Sequence, residues 1–362
     1  MSSYPVLPRF DGASLVNLIA SVEERLTGER QAPLLRADLD AAVPPAETYV
    51  IVLFDGLGAH QLDHDEASDL RAAHVAPIDA MFPTTTTVNL STIATGLAPA
   101  AHGTIGHHMW IPEVGAVVNV LKWIIPGGQP VAFDTTRMLP VDNLWERLSL
   151  SGVEPITVQP GAFDRSPLSQ ALYRGCRIEP VWTERDMVAA TTELAAERRR
   201  LIFTYVPHVD VAAHLFGQRS KQYSDAIRTA NTIWRDIVRG LPAHAVAIGT
   251  ADHGHLDYSP GDKTLVSERT ATFFGDPRAL FVNDGDAGSL VDGLPGRWYP
   301  GADILPWFGP GEKHPSLDDR LPAGVVLADR GDIIIPSNMD KRLIGYHGGL
   351  EPEEVHIPFL VG

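Results

Sequence analysis

Cysteine is almost missing from this chain of 362 residues, where Cys176 stands alone. A single thiol forms no intrachain disulfide, so nothing calls for an oxidising compartment. Basic residues are also scarce, with Lys+Arg 29 against Asp+Glu 45 and a net charge of −16. That balance argues against binding to duplex nucleic acid, whose phosphate backbone wants clustered Lys and Arg. No apolar run approaches the ~20 residues that a membrane span needs, so no membrane partner is expected. The opening segment, MSSYPVLPRFDGASLVNLIA, lacks a basic leader, and Arg9 and Asp11 break its apolar stretch. The expected location is therefore cytoplasmic. Repeats, heptads and low-complexity tracts are missing too.

What remains is the material of a globular core, with 44% apolar residues over a length that can bury them. Short apolar runs bounded by turn residues predict buried strands over Tyr49–Phe54, Leu201–Val206 and Ala245–Ile248. Helical patterns cover Ser14–Leu26, Val141–Leu150, Glu184–Arg200 and Tyr223–Arg239. This alternation predicts one α/β domain over 1–362, with a central, mostly parallel sheet flanked by helices on both faces. Residues 257–312 are rich in Gly, Pro and aromatics and lack helical period, which predicts a small irregular cap inserted in that domain.

Three predicted strands run straight into residue types that bind metals. The first meets Asp55-Gly56. The second meets Pro207-His208-Val209-Asp210, with His214 four residues on, and the third meets Asp252-His253-Gly254-His255. Ligand sites in open α/β sheets gather at the carboxyl ends of strands, so three such ends converge on one crevice. Asp with His suits Zn²⁺, whereas Mg²⁺ prefers all-oxygen sites. Asp210 and His214, at i and i+4, share one face of a helix. Singly, Asp55-Gly56 reads as a turn and Asp210/His214 as a surface pair; the conjunction carries the weight.

A fourth cluster is Thr84-Thr85-Thr86-Thr87, followed by Val88 and Asn89. Leu90, Ile93, Ala94 and Leu97 then fall at i, i+3, i+4 and i+7, predicting a helix that Gly96 and Pro99 end. A threonine there is either an N-cap or a hydroxyl at an anion-attracting helix end, and local physics does not choose among four. Gly345-Tyr346-His347-Gly348-Gly349 reads on its own as a loop with one histidine.

In this order, Asp55, the threonines, Asp210-x-x-x-His214, Asp252-His253 and His347 resemble the alkaline phosphatase superfamily. Within it, the nucleotide pyrophosphatase/phosphodiesterase family is the nearest likeness. Pro83-Thr84-Thr85-Thr86-Thr87-Val88-Asn89, then Thr95-Gly96-Leu97-Ala98-Pro99 and His102-Gly103, are similar to that family's nucleophile segment. The likeness spans residues 55–347. It implies an alkaline-phosphatase-like fold and a hydrolase of phosphodiester or phosphoanhydride bonds in a small phosphate ester or nucleotide. It further implies two Zn²⁺ ions, with Mn²⁺ or Fe as other occupants. One ion falls to Asp55, Thr86, Asp252 and His253, the other to Asp210, His214 and His347. Thr86 becomes the nucleophile of a covalent phosphothreonine intermediate, and Asn89 and His107 become substrate-binding residues.

The chain departs from the family pattern in three places. His107 stands where the family has an Asn that holds a phosphoryl oxygen, and Val88 stands where it has Pro. The ending His347-Gly348-Gly349-Leu350 with Glu354 is closer to phosphomutase-type and bacterial branches. A phosphomonoesterase, phosphonate hydrolase or phosphomutase is therefore the alternative, and an inactive metal-binding scaffold a further one. Against the scaffold, all the ligand positions keep competent side chains. Cys176-Arg177-Ile178-Glu179-Pro180 does not fit a sulfatase. The absence of Lys and Arg between Ala72 and Leu121 favours a diester over a monoester dianion, unless Arg137 or Arg165 folds in. Trp298, Tyr299, Trp307 and Phe308 read as cap packing rather than as a platform for a base.

Overall fold

Thr48–Phe54 (β1) is apolar almost throughout because it is buried on both faces, as a central parallel strand must be. In the computed structural model, which describes residues 5–125, 128–140, 142–267, 273–283, 291–337 and 339–362, it lies mid-sheet. Its parallel neighbours are Arg200–Val206 (β7) and Ala245–Thr250 (β8), the other two strands predicted from apolar runs. Glu154–Pro160 (β5) and Arg177–Val181 (β6) extend the parallel array. His356–Val361 (β17) runs antiparallel to both β8 and His74–Asp79 (β2), completing a seven-stranded sheet in the order β2-β17-β8-β1-β7-β5-β6.

Two groups of helices pack with this sheet. Leu15–Thr27, Thr86–Thr95 and Leu144–Leu150 contact one another, and Lys221–Gly240 gathers Glu184–Leu194 and His208–Phe216. Lys221–Gly240 shows why these helices form. Tyr223, Ala226, Ile227, Ala230, Ile233, Trp234 and Ile237 are buried along one 3.6-period stripe, and the Ser220 side chain accepts from the Tyr223 N–H at 3.0 Å as N-cap. Among the described residues, no helix is long and apolar enough to cross a membrane.

Where it is described, the stretch 257–312, expected to hold a cap insertion, carries strands together with short helical turns at Pro260–Asp262, Gly301–Ile304 and Leu305–Phe308. Phe273–Asp276 (β11), Ala279–Val282 (β12) and Gly296–Pro300 (β13) join a six-stranded antiparallel sheet. The partners come from outside that stretch: His108–Ile111 (β3), Ala116–Asn119 (β4) and Gly324–Ala328 (β14). Four- and five-residue strands are too short to show a period, and their pairing joins segments far apart in sequence. The second sheet has its own core, in which Phe82 packs against Phe281, Trp307 and Phe308. Two short pairs complete the described strands: Leu256–Asp257 (β9) with Gly345–Tyr346 (β16), and Lys263–Val266 (β10) with Ile333–Pro336 (β15). The β9–β16 pair brings the chain just before His347 back to the end of β8.

Candidate active site

Register makes the ends of three strands level. Phe54 pairs with Val206 and Leu53 with Thr250, so Asp55, the His208–Phe216 helix and Asp252-His253 leave the sheet side by side. The Asp210 N–H donates to the Asp55 carbonyl at 3.0 Å, drawing the first two together. Gly56 permits this approach: its φ is +75°, and a Cβ there would lie 2.8 Å from the Asp210 Cα.

A first group of donors centres on His253. Its Nε2 lies 3.2 Å from Thr86 Oγ1, 3.4 Å from Asp252 Oδ2 and 3.5 Å from Asp55 Oδ1. An ion held tetrahedrally at about 2.0–2.1 Å separates its ligands by about 3.3 Å, which these spacings match. The remaining atoms are already tied. Asp252 Oδ1 accepts from the Gly56 and His253 N–H groups at 3.0 and 3.1 Å, and the Tyr205 hydroxyl donates to Asp55 Oδ2. His253 Nδ1 faces the Gly254 carbonyl at 3.2 Å, which leaves Nε2 free to ligate. Asp55 Oδ1 and Asp252 Oδ2 are buried with no hydrogen-bond partner among the described residues. Burial, and then the charges of Asp252 and Asp210, push the Asp55 carboxyl well above the usual carboxylate range. Buried carboxylates crowded in this way need a cation, so the donor set fits a metal ion.

A second group centres on Asp210. Its Oδ1 lies 3.2 Å from His214 Nε2, 2.8 Å from His255 Nε2 and 4.0 Å from His347 Nε2. His214 Nδ1 donates to the Gly345 carbonyl at 2.7 Å and His347 Nδ1 to the Thr84 carbonyl at 2.8 Å. For His347 this leaves Nε2 as a lone pair, the arrangement that ligating imidazoles use. Burial lowers the His214 pKa, but the Asp210 carboxylate facing its Nε2 outweighs it, and the net shift is upward. Burial, reinforced by His253, His255 and His214, holds His347 well below the ordinary histidine range and so keeps it neutral. Burial raises the Asp210 carboxyl, but His214 and His255 outweigh it and hold the group well below its usual range. The His253 and His347 rings stack with centroids 3.6 Å apart, so the two groups adjoin. All the residues expected as ligands are brought together here. His255 and Tyr205 were not among them. Only the position of His255 in Asp-His-Gly-His hinted at a role, and nothing local marked Tyr205.

The fold separates the four threonines. Thr84 Oγ1 donates to the Gly349 carbonyl at 2.9 Å and accepts from the Gly348 N–H at 3.1 Å, clamping the loop that carries His347. Thr85 is the N-cap residue of the Thr86–Thr95 helix, and Thr87 Oγ1 donates to the Gly106 carbonyl at 2.9 Å. Those three are fully buried; Thr86, in the first turn, faces the crevice. Asn89, expected to bind substrate, lies away from the cavity wall. It is buried, with Oδ1 accepting from the Met81 N–H at 2.7 Å and Nδ2 donating to the Thr85 carbonyl at 3.2 Å. Its amide is spent on securing the start of the helix, because position 89 turns into the core one helical turn after Thr85.

A cavity of about 550 Å³ opens beside the two groups, lined by Thr86, His107, Asp210, His214, Asp276 and His347, with Lys122 and Tyr346 also in its wall. Lys122, not Arg137 or Arg165, is the cation lining it among the described residues. Trp298, Tyr299, Trp307 and Phe308 take no part in the wall. Burial raises the Asp276 carboxyl to about 7.

The profile of the type I phosphodiesterase/nucleotide pyrophosphatase family matches residues 49–291. An uncharacterised pyrophosphatase/phosphodiesterase of Schizosaccharomyces pombe is 24% identical over 221 residues, covering 57% of this chain and 44% of that protein. Ectonucleotide pyrophosphatase/phosphodiesterase 1 of Saccharomyces cerevisiae is 24% identical over 219 residues, covering 52% of this chain and 29% of that protein. The chain thus spans less than half the length of these relatives. Murine ectonucleotide pyrophosphatase/phosphodiesterase 5 shares the fold with a TM-score of 0.69 at 19% identity, over 86% of this chain and 87% of that one. Its inactive variant has been solved in complex with AMP. Phosphonoacetate hydrolase from Sinorhizobium meliloti 1021, in complex with phosphonoacetate, gives a TM-score of 0.65 at 15% identity, over 88% of this chain and 91% of that one.

Proposed function

The chain belongs to the type I phosphodiesterase/nucleotide pyrophosphatase family, and from that premise we propose that it is a two-metal hydrolase of phosphodiester or phosphoanhydride bonds in nucleotide-like substrates. The observation that carries this reading is the convergence of Thr86 Oγ1, Asp252 Oδ2 and Asp55 Oδ1 within 3.2–3.5 Å of His253 Nε2. Asp55, Thr86, Asp252 and His253 would hold one ion, and Asp210, His214 and His347 the other, with zinc the metal that suits these donors. When bound, such ions supply positive charge for a deprotonated hydroxyl and for phosphoryl oxygens. Thr86 presents Oγ1 from the first turn of its helix, whose free N–H groups favour an anionic phosphoryl group beside it. The Thr86 oxygen attacks phosphorus, the leaving alcohol or nucleotide departs, and water releases the phosphothreonine. His107 donates to a phosphoryl oxygen, and Lys122 holds a further negative charge of the substrate. The AMP complex of the murine neighbour supports a nucleotide-like substrate.

The test is the ratio of kcat/KM for bis-p-nitrophenyl phosphate over p-nitrophenyl phosphate on zinc-loaded protein, with Thr86→Ala as control. A ratio well above one that vanishes in the variant supports the diesterase. A ratio well below one moves the protein to the monoesterase side, and no turnover of either substrate returns it to the scaffold reading.

A further inference from the structure

The exchange of the family's Asn for His107 raises the question of which ring nitrogen faces substrate, and the second sheet answers it. The Lys122 N–H donates to Asn119 Oδ1 at 3.0 Å, which identifies the oxygen end of that amide. The other end, Nδ2, lies 2.9 Å from His107 Nε2 and 3.2 Å from His108 Nε2. An amide nitrogen only donates, so its two hydrogens serve the two rings and both Nε2 atoms accept. A neutral ring that accepts at Nε2 carries its proton on Nδ1. Among the described residues, His107 Nδ1 has no hydrogen-bond partner, and it is not among the buried unpartnered atoms. The ring lines the crevice with Thr86. The backbone secures the arrangement, since the Val120 N–H donates to the His107 carbonyl at 3.0 Å and the His107 N–H reaches Asp276 Oδ2 at 3.4 Å.

We propose that Asn119 is a positioning residue that sets the tautomer of His107, so that Nδ1–H donates to a non-bridging oxygen of the phosphoryl group. Asn119 thereby restores, through an imidazole, the donor that the family's amide supplies directly. The proposal rests on the reading of the crevice as a phosphoryl-transfer site. Neutrality of the ring agrees with its surroundings: burial, then His108 and His214, lower the His107 pKa well below the ordinary value. Protonation would also set an Nε2–H against the Asn119 NH₂.

Long-range ¹H–¹⁵N correlation spectra of ¹⁵N-labelled protein test this directly, with His107 assigned by its loss in His107→Asn. The wild-type ring is expected as the Nδ1–H tautomer. Inorganic phosphate added to the zinc-loaded protein is expected to shift that resonance. In Asn119→Asp the carboxylate only accepts, so the ring is expected to switch to Nε2–H and the phosphate response to vanish. Turnover of bis-p-nitrophenyl phosphate is expected to fall about 10²-fold in Asn119→Asp, with zinc content unchanged. In the His107→Asn background, where an amide donates whatever stands at 119, the same change is expected to cost less than about threefold. An Nε2–H tautomer in the wild type, or an equal loss in both backgrounds, overturns the proposal. The tautomer is read without turnover, so an enzyme that cleaves no phosphate ester would sink the proposed function while leaving this measurement decisive for Asn119.

Discussion

The seven-stranded and six-stranded sheets meet across one crevice but furnish it with different kinds of group. From the first come carboxylates and imidazoles at level strand ends, of which Asp252, His214 and His253 have their second polar atom tied to backbone and Asp55 has its own tied to Tyr205. From the second come His107 and His108 around the start of β3, Asn119 at the end of β4 and Asp276 at the end of β11. These line or brace the wall and belong to neither donor group. Parallel strands buried on both faces hold their ends rigidly, as metal ligation requires. On the proposal made above, the antiparallel sheet accommodates an exchange such as His for Asn because its neighbour Asn119 re-aims the donor. The two regions are joined at the His347 loop, where the buried Glu354 accepts from the Gly349 and Glu351 N–H groups at 2.9 and 3.0 Å and faces Arg278 at 3.4 Å.

The comparison breaks most sharply at Thr86. Thr86→Ala is expected to lower kcat about 10³-fold or more, with the melting temperature unchanged within about 2 °C, because the side chain faces the crevice rather than the core. Calorimetry beside kinetics checks both halves, and near-full activity would reject the nucleophile. Next, Asp252→Ala and His347→Ala should each remove one ion, read as metal per chain by mass spectrometry. Chelation of the wild type should lower the melting temperature by about 5–10 °C, since bound ions stabilise only the folded state. Unchanged stoichiometry in either variant would detach that residue from its group.

Acid stability sharpens the contrast from the other side. Burial, then His314 and Arg320, holds His102 at about 3, and burial holds His108, on the second sheet, at about 4. Both stay neutral in the fold while their unfolded counterparts take up protons near 6.5, so stability is lost as pH falls from about 6.5 toward 4. The urea midpoint of metal-free protein should drop over that window, and His102→Gln should flatten the slope. The smallest effect belongs to Lys122→Ala. It should raise KM severalfold for substrates with an added negative charge, lessen the salt dependence and leave metal content intact. Loss of metal there would contradict the division between the sheets.

Much of the first region was legible along the chain. Continuous apolar runs marked β1, β7 and β8, and the metal-binding residue types follow them at once. The second region was not, because its strands are short and β11 finds β3 more than a hundred residues away. His255 and Tyr205 were passed over for a related reason: their partners, Asp210 and Asp55, become neighbours only when three strand ends stand level.

Residue chemistry and apolar periodicity, both local properties, were enough to name the fold class and the donor types at the carboxyl ends of the strands. The crevice-facing position of Thr86 beside three buried threonines, the burial of Asn89 away from the crevice and the tie between Asn119 and His107 required the folded chain. Each depends on which backbone groups and side chains from distant segments occupy a side chain's hydrogen-bonding atoms, and distance along the sequence carries no record of that.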